Sequence, residues 1–160
     1  VLRAWRFEIA QRDHLLHHRD KVKDTVIWNA EAGQKLTGPD VATAEQTRTE
    51  IYHRFRLFLE DYDYFVCPVN QVPPFDVDTP YVTEIDGVRM ETYIDWMKSC
   101  YYITITCHPA ISVPCGFTPE GLPVGVQIVG RYQDDFGVLQ MAKAFEGATE
   151  TWKHLPDVLK

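Results

Sequence analysis

The spacing of apolar residues over the first sixty positions predicts three helices. The first lies within residues 1–20, which are rich in helix formers. Its predicted buried points are Trp5, Ile9 and Leu16. A short helix is predicted over residues 24–35, ending near Gly33. A longer one is predicted to begin near Pro39, which a first helical turn tolerates, and to reach about Glu60. Its buried face repeats every three or four residues at Ile51, Phe55, Phe58 and Tyr62.

Short apolar runs bounded by turn residues predict strands in the second half of the chain. Residues 64–67 are apolar and precede Pro68, which is typical of a buried strand. The runs 110–114 and 124–129 flank a turn at residues 118–121. Because the connection is short, we expect these two strands to pair as a hairpin.

Three further elements are predicted from turn and capping residues. A small hairpin is expected over residues 82–90, turning at Asp86-Gly87. An amphipathic helix is expected to follow it, with apolar points Met90, Tyr93, Ile94, Met97 and Tyr101. Asp134 is predicted to cap a final helix that ends near Gly147. The apolar points of that helix are Phe136, Leu139, Ala142 and Phe145.

The interleaving of helices and strands predicts an α/β fold with a mixed β-sheet flanked by helices. Three or four strands make a small sheet, and strands that are apolar on both faces need cover on both sides. We therefore expect an unpaired sheet edge and an exposed apolar face unless a partner segment covers them.

Composition and charge narrow the classes of function. The 160 residues are 45% hydrophobic and carry a net charge of −7, which argues against binding of nucleic acid or of an acidic membrane surface. No apolar run approaches the ~20 residues that span a bilayer. The chain does not begin with Met and shows no signal-peptide layout, so its start is interpreted as a cut end. Four cysteines without a Cys-x-x-Cys pair favour a reducing, cytoplasmic setting.

Two neighbouring motifs carry a resemblance to a known family. The runs 109–117 (PAISVPCGF) and 121–130 (GLPVGVQIVG) resemble the C-terminal signature of the amidase-signature hydrolases. Residues 23–29, 61–69 and 135–146 resemble further blocks of that family in the same order. The resemblance implies that residues 1–160 are the C-terminal portion of a single amidase-signature domain with an α/β/α core, from which the N-terminal catalytic part is absent.

The resemblance also implies a chemistry that these residues do not supply. Such enzymes cleave amides with a Ser–Ser–Lys constellation on a Gly/Ser-rich loop, without metal or cofactor. A hydroxyl nucleophile needs an adjacent base and preorganised donors for the oxyanion. The chain has two serines, Ser99 and Ser112, and neither lies in a Gly-Ser-Ser-Gly setting. No catalytic residue is therefore assigned, and Ser112 is interpreted as a core hydroxyl bonded to backbone.

The family resemblance places the wall of the substrate pocket just before the Pro-Ala-Ile-Ser block. The candidate substrate-binding residues are Trp96, Tyr101, Tyr102, Thr104 and Thr106. An aromatic lining suits an aryl or bulky apolar amide. The alternative is that the aromatic residues, Met97 and Tyr101 above all, are core positions of a helix. Glutaminyl-tRNA amidotransferase A subunits usually carry Asn-Leu-Ala-Gly-Leu-Pro where this chain has residues 104–109 (TITCHP), and the acidic residue expected to hold glutamine is missing, which disfavours a glutamine-handling role.

Four other groups of residues were weighed as sites. His14, His17 and His18 share a helical face, but three ligands from one turn would be crowded, so a solvated face is preferred to a metal site. Cys115 with His108 is kept as a thiol alternative, whereas Cys107 and His108 are adjacent and are expected to point to opposite faces. Gln127 is interpreted as a buried amide that ties neighbouring backbone.

These observations predict a portion of an amidase that converts a carboxylic amide to an acid and ammonia or an amine. It would supply late sheet strands and one pocket wall, and would be inactive alone. The expected partners are a small-molecule amide in the intact enzyme and either the missing N-terminal half or a second copy. The alternative is a non-catalytic interaction fragment or shortened paralogue that associates through its exposed sheet.

Overall fold

The computed structural model describes residues 1–154, and the chain divides into two compact units, Val1–Ile51 and Tyr52–Lys160. The first unit contains helix α1 (Leu2–His18), helix α2 (Asp24–Gln34) and the start of helix α3 (Gly38–Asp61). Thr37 caps α3, because its hydroxyl donates to Asp40 Oδ2 at 2.6 Å and accepts from Asp40 N at 3.3 Å. The three predicted helices are confirmed.

The predicted buried points of α1 are wrong. Trp5, Ile9 and Leu16 are 37%, 57% and 71% exposed, and no residue of α1 is buried. The helix meets α2 through Ala4 and Glu8, which lie beside Gly33. Those positions precede Trp5 and Ile9 by one residue, or about 100° around the helix, so the apolar stripe faces away from α2.

The second unit contains a three-stranded antiparallel sheet. Its strands are β1 (Phe65–Pro68), β4 (Ala110–Phe117) and β5 (Pro123–Val129), in the order β1-β5-β4. Strands β4 and β5 form the predicted hairpin, with a bulge between Pro114 and Gly116. Strands β2 (Glu84–Ile85) and β3 (Val88–Arg89) form the small hairpin predicted at Asp86-Gly87, both of which have positive φ as a type I′ turn requires.

Helices cover both faces of the sheet. Helix α5 (Asp135–Thr149) packs Ala142, Met141 and Phe145 against Val113 and Ile128. On the other face, Ser99 of helix α4 (Lys98–Ile105) bonds Gln127, and rings at the end of α3 contact Phe65 edge-on. The predicted α/β class is confirmed, and the strand pairings of the described residues are antiparallel.

The sheet is nevertheless incompletely covered. Within residues 1–154 the outer edges of β1 and β4 have no neighbouring strand, as expected for an unpaired edge. Val66 is 47% exposed, so the prediction that residues 64–67 form a buried strand is wrong for one of its faces. Phe136 and Leu139 of α5 are 70% and 55% exposed, because α5 turns Val138 and Ala142 towards the sheet instead.

Local hydrogen bonds move two helix boundaries from their predicted places. The helix expected from Met90 begins later, with a 3-10 turn at Asp95–Met97 that leads into α4. Asp95 Oδ2 accepts from Thr92 N at 2.8 Å and Thr92 Oγ1 at 2.9 Å, and these bonds begin the helical turns there. Asp134 caps α5 as predicted, accepting from Gly137 N at 2.9 Å, but α5 continues beyond Gly147 to Thr149. No helix among residues 1–154 is both long and apolar enough to cross a membrane.

Replacing two helical glycines by alanine is expected to have opposite effects. A Cβ at Gly33 would lie 2.2 Å from the Ala4 carbonyl oxygen, so Gly33→Ala should destabilise the α1–α2 pair by about 1–3 kcal/mol. A Cβ at Gly147 would meet nothing within 4 Å, so Gly147→Ala should stabilise α5 by about 0.5–1 kcal/mol. Hydrogen exchange of the amides in each helix measures both effects. Equal protection of α1 and α2 in Gly33→Ala and the unchanged protein would contradict the close contact.

Candidate functional site

A cleft of about 640 Å³ opens where β1 ends, beside the bulged hairpin. Its volume lies in the range of small-molecule sites. The lining residues are Pro68, Asn70, Gln71, Val72, Pro73, Pro74, Phe75, Trp96, Cys115, Pro123, Val124, Gly125 and Val126. None of these residues carries a charged side chain, so the cleft suits a neutral, largely apolar ligand group.

Hydrogen bonds fix the start of the loop that forms one side of the cleft. Val69 N donates to Gly125 O at 3.2 Å, and Ser99 Oγ donates to Val69 O at 2.7 Å. Gln71 Nε2 donates to the backbone oxygen of Asp95 at 3.4 Å. Three prolines of the lining lack the N–H that a continuing strand would use, so the chain leaves the sheet after Pro68.

Trp96 is the largest aromatic residue of the cleft. Its ring lies edge-to-face with Phe75 at 5.4 Å and with Tyr93 at 6.2 Å, and Tyr93 contacts Tyr81 at 5.8 Å. Trp96 Nε1 is buried and has no hydrogen-bond partner among the described residues. Perpendicular rings present both an aromatic edge and an aromatic face, which is the geometry that favours another aromatic group.

The structure brings Trp96, but not the other four predicted substrate-binding residues, to this cleft. Tyr102 is 56% exposed and contacts the ring of Tyr101 at 5.0 Å. Thr104 Oγ1 donates to Cys100 O at 3.1 Å, and the buried Thr106 Oγ1 donates to Ile103 O at 2.7 Å. Those hydroxyls are used within or next to α4. The substrate-binding roles of Tyr101, Tyr102, Thr104 and Thr106 stay predictions.

Gln127 is the buried amide that the sequence predicted. Its side chain is 6% exposed, and Nε2 donates to Pro68 O at 3.1 Å and to Ser99 O at 3.0 Å. One side chain thereby joins β5, the end of β1 and α4. Burial raises the pKa of the neighbouring Cys67 thiol, an effect that hydrogen bonding to Gln127 opposes.

Two candidate nucleophiles lie in settings that do not support catalysis. Ser112 is exposed on β4, so its interpretation as a core hydroxyl is wrong: β4 is an edge strand, and α5 covers its other face. Cys115 reaches the cleft at the β4 bulge, but His108 precedes the first residue of β4. Seven residues of extended chain separate them by about 20 Å, so the Cys115–His108 pair is not formed.

His108 belongs to an aromatic cluster. It is 8% exposed, and its ring contacts those of Phe55 at 4.9 Å, Tyr52 at 5.4 Å and Tyr132 at 6.1 Å. Nδ1 lies 2.7 Å from Thr106 O and therefore carries the proton, which leaves Nε2 as an acceptor without a partner among the described residues.

The cysteine before His108 holds a backbone conformation that favours glycine. Cys107 has φ 60°, which costs an L-residue about 1–2 kcal/mol, whereas a glycine loses about 0.4–1 kcal/mol through the unfolded state. Cys107→Gly should therefore stabilise the second unit by about 0.5–1 kcal/mol in a urea titration. Cys107→Ala is the matched control, because it removes the thiol but keeps the Cβ, and it should give no gain. An equal gain in both variants would assign the effect to the thiol instead.

The three histidines of α1 are exposed to solvent. His17 Nδ1 lies 2.9 Å from Asp13 O, and the rings of His17 and His18 are 6.5 Å apart. In the part of the chain that the structure describes, no three His, Cys, Asp or Glu side chains are grouped closely enough to hold a metal ion.

The sheet with helices on both faces and the uncharged cleft beside it define part of an α/β domain that accommodates a small molecule. A family model described as Amidase matches residues 11–139. The chain belongs to the amidase family, and the resemblance drawn from residues 109–130 is confirmed.

Curated relatives match over most of this chain and a minor part of their own. The chain is 34% identical over 137 residues to an acylamidase of Rhodococcus erythropolis, covering 85% of this chain and 28% of the relative. It is 35% identical over 122 residues to a chain of the glutamyl-tRNA(Gln) amidotransferase of Oceanobacillus iheyensis, covering 72% and 22%. The chain therefore spans about a quarter of the length of these relatives.

Solved structures show the same fold. A bacterial aryl acylamidase of the amidase-signature family superposes with a TM-score of 0.79 at 22% identity, over 94% of this chain and 32% of that one. A 6-aminohexanoate cyclic dimer hydrolase superposes with a TM-score of 0.80 at 21% identity, over 98% and 35%. Both comparisons agree with the α/β architecture described above.

Proposed function

We propose that this chain is a portion of an amidase that hydrolyses a carboxylic amide to an acid and ammonia or an amine. Its part in that enzyme is to supply late sheet strands and one wall of the substrate pocket. The observation that carries the proposal is the uncharged cleft with Trp96 and Phe75 in its lining, in a chain of the amidase family. The four unpaired cysteines support a reducing, cytoplasmic setting.

The same proposal makes the chain inactive by itself. A serine nucleophile needs a base within hydrogen-bond reach. Ser99 Oγ donates instead to Val69 O at 2.7 Å, and the adjacent Lys98 pairs with Asp95 at 3.6 Å. The attacking hydroxyl, its base and the oxyanion donors therefore come from residues outside this sequence.

The lining of the cleft supports an aryl or bulky apolar amide as substrate. Aromatic rings, prolines and valines exclude water from a neutral group, and the neutral amides of Asn70 and Gln71 supply hydrogen bonds. A glutamine substrate carries an ammonium and a carboxylate, and no lining residue offers a charge to either.

Acetanilide hydrolysis tests the proposal. The purified chain should give no turnover, and an enzyme that contains the chain should be active. In that enzyme Trp96→Ala should lower kcat/KM for acetanilide about tenfold through a raised KM, since an aromatic contact contributes on the order of 1 kcal/mol. The matched control is Trp152→Ala, because Trp152 is 55% exposed and outside the cleft. Turnover by the chain alone that Ser112→Ala abolishes would overturn the proposal.

The exposed sheet favours a second candidate, a non-catalytic fragment that associates through its open edges. Both outer strands lack a neighbour within residues 1–154, and Val66 is 47% exposed. Sedimentation velocity distinguishes the candidates. A dimer that dissociates when Val66 is replaced by lysine would support association through β1, and a monomer at all concentrations would exclude it.

A further inference from the structure

Two cysteines meet the chain near the backbone oxygen of Val69. Cys100 of α4 donates from Sγ to Val69 O at 3.0 Å, and the neighbouring Ser99 Oγ donates to the same oxygen at 2.7 Å. Cys67 lies on β1, two residues before Val69. The side chain of Cys100 is thus held against the segment of chain that carries Cys67.

Cys67 points to the face of the sheet on which α4 lies. It pairs directly with Gln127 across β1 and β5, and directly paired residues share a face. Gln127 Nε2 bridges Pro68 O and Ser99 O, the backbone neighbours of Cys67 and Cys100 respectively. The two thiols therefore flank one hydrogen-bonded junction between β1 and α4, and both are free and half-buried.

We propose that Cys67 and Cys100 form a reversible disulfide by exchange with a small-molecule disulfide of the oxidised glutathione class. The pair is a modification site separate from the amide chemistry. Exchange of this kind requires an accessible thiolate and a second thiol that resolves the mixed disulfide.

The reaction proceeds in two displacements. Burial raises the pKa of Cys67 and keeps it protonated, so the first attack comes from Cys100. The Cys100 thiolate, its proton released to water, attacks one sulfur of oxidised glutathione, and the first glutathione thiolate leaves. The Cys67 thiol then loses its proton, attacks the Cys100 sulfur and releases the second glutathione thiolate. Two cysteine sulfurs are oxidised, and one glutathione disulfide is reduced to two thiols.

The disulfide would act on the cleft through the loop that begins at Pro68. Cys67 immediately precedes that loop, and Val69 at its start accepts the bond from Cys100. Oxidation replaces this S–H···O bond with a covalent link from the end of β1 to α4. The side of the cleft formed by residues 68–75 is then fixed to α4.

The test uses the folded full chain carrying Cys107→Ser, because Cys107 is exposed and would take up glutathione on its own. After incubation with oxidised glutathione, we expect an intact mass lower by two hydrogens and one titratable thiol left of three. Peptide mapping of the non-reduced protein should join the peptides that contain Cys67 and Cys100, and dithiothreitol should restore all three thiols.

Single replacements separate the two roles. Cys67→Ser should trap a glutathione adduct on Cys100, whereas Cys100→Ser should form no internal disulfide, and the control Cys115→Ser should oxidise like its parent. Circular dichroism establishes that each variant is folded, and the peptide map stands without them. Retention of all three thiols, or a disulfide that involves Cys115, would overturn the proposal.

Discussion

Ile128→Ala is expected to lower the free energy of unfolding of the second unit by about 2–5 kcal/mol. Ile128 is 0% exposed and lies at the centre of the cluster formed with Val113 and Ala142. It is on β5, the central strand, so neighbours on both sides and α5 above it prevent collapse into the cavity. Urea denaturation followed by far-UV circular dichroism measures the loss.

Val66→Ala is the matched control for this prediction. Val66 pairs directly with Ile128 in the sheet, yet it is 47% exposed. Its truncation removes little buried surface, and the expected loss is below about 1 kcal/mol. A loss in Val66→Ala as large as that in Ile128→Ala would mean that the exposed face of β1 is buried in solution.

Gln127→Ala is expected to cost about 2–4 kcal/mol in the same assay. The truncation leaves the buried oxygens of Pro68 and Ser99 without their donor and opens a cavity between β1, β5 and α4. Gln140→Ala is the control, because Gln140 is exposed on α5 and should change stability by less than about 0.5 kcal/mol. Equal effects of the two replacements would show that the bridge contributes no stability.

Elements with a local cause could be predicted from the sequence. The turn at residues 118–121 brings β4 and β5 together, and Asp134 begins α5 with a bond that spans three residues. The interpretation of Gln127 followed from the same local pattern, since the amide interrupts an apolar strand. In each case the residues that determine the element lie within one hairpin or one helical turn.

The cleft could be predicted only in part, because it depends on residues that are distant in the sequence. Trp96 was identified, but Phe75 faces it from a loop 21 positions earlier, and no periodicity links the two. The prolines at 68, 73 and 74 predicted an extended connection without indicating which side chains it would present. Asn70 and Gln71 were missed for the same reason.

The errors in burial have a different physical origin. The stripe of Trp5, Ile9 and Leu16 and the pair Phe136 and Leu139 follow helical periodicity, yet these residues are exposed. Periodicity shows that a helix has an apolar face, but cover depends on a neighbour. The chain spans about a quarter to a third of its relatives, and neighbours for such faces lie outside the described residues.

The order of strands in the sheet has a consequence for synthesis on the ribosome. Val129 pairs with Ala110 in the hairpin, but its partner on β1 is Phe65, 64 residues earlier in the chain. At about 5–20 residues per second, β1 leaves the ribosome roughly 3–13 s before the strand that completes it. Long-range pairing also carries the larger loop-closure entropy, so the hairpin forms first and β1 docks onto it last. During that interval the exposed segment around Val66 is a natural binding site for a nascent-chain chaperone.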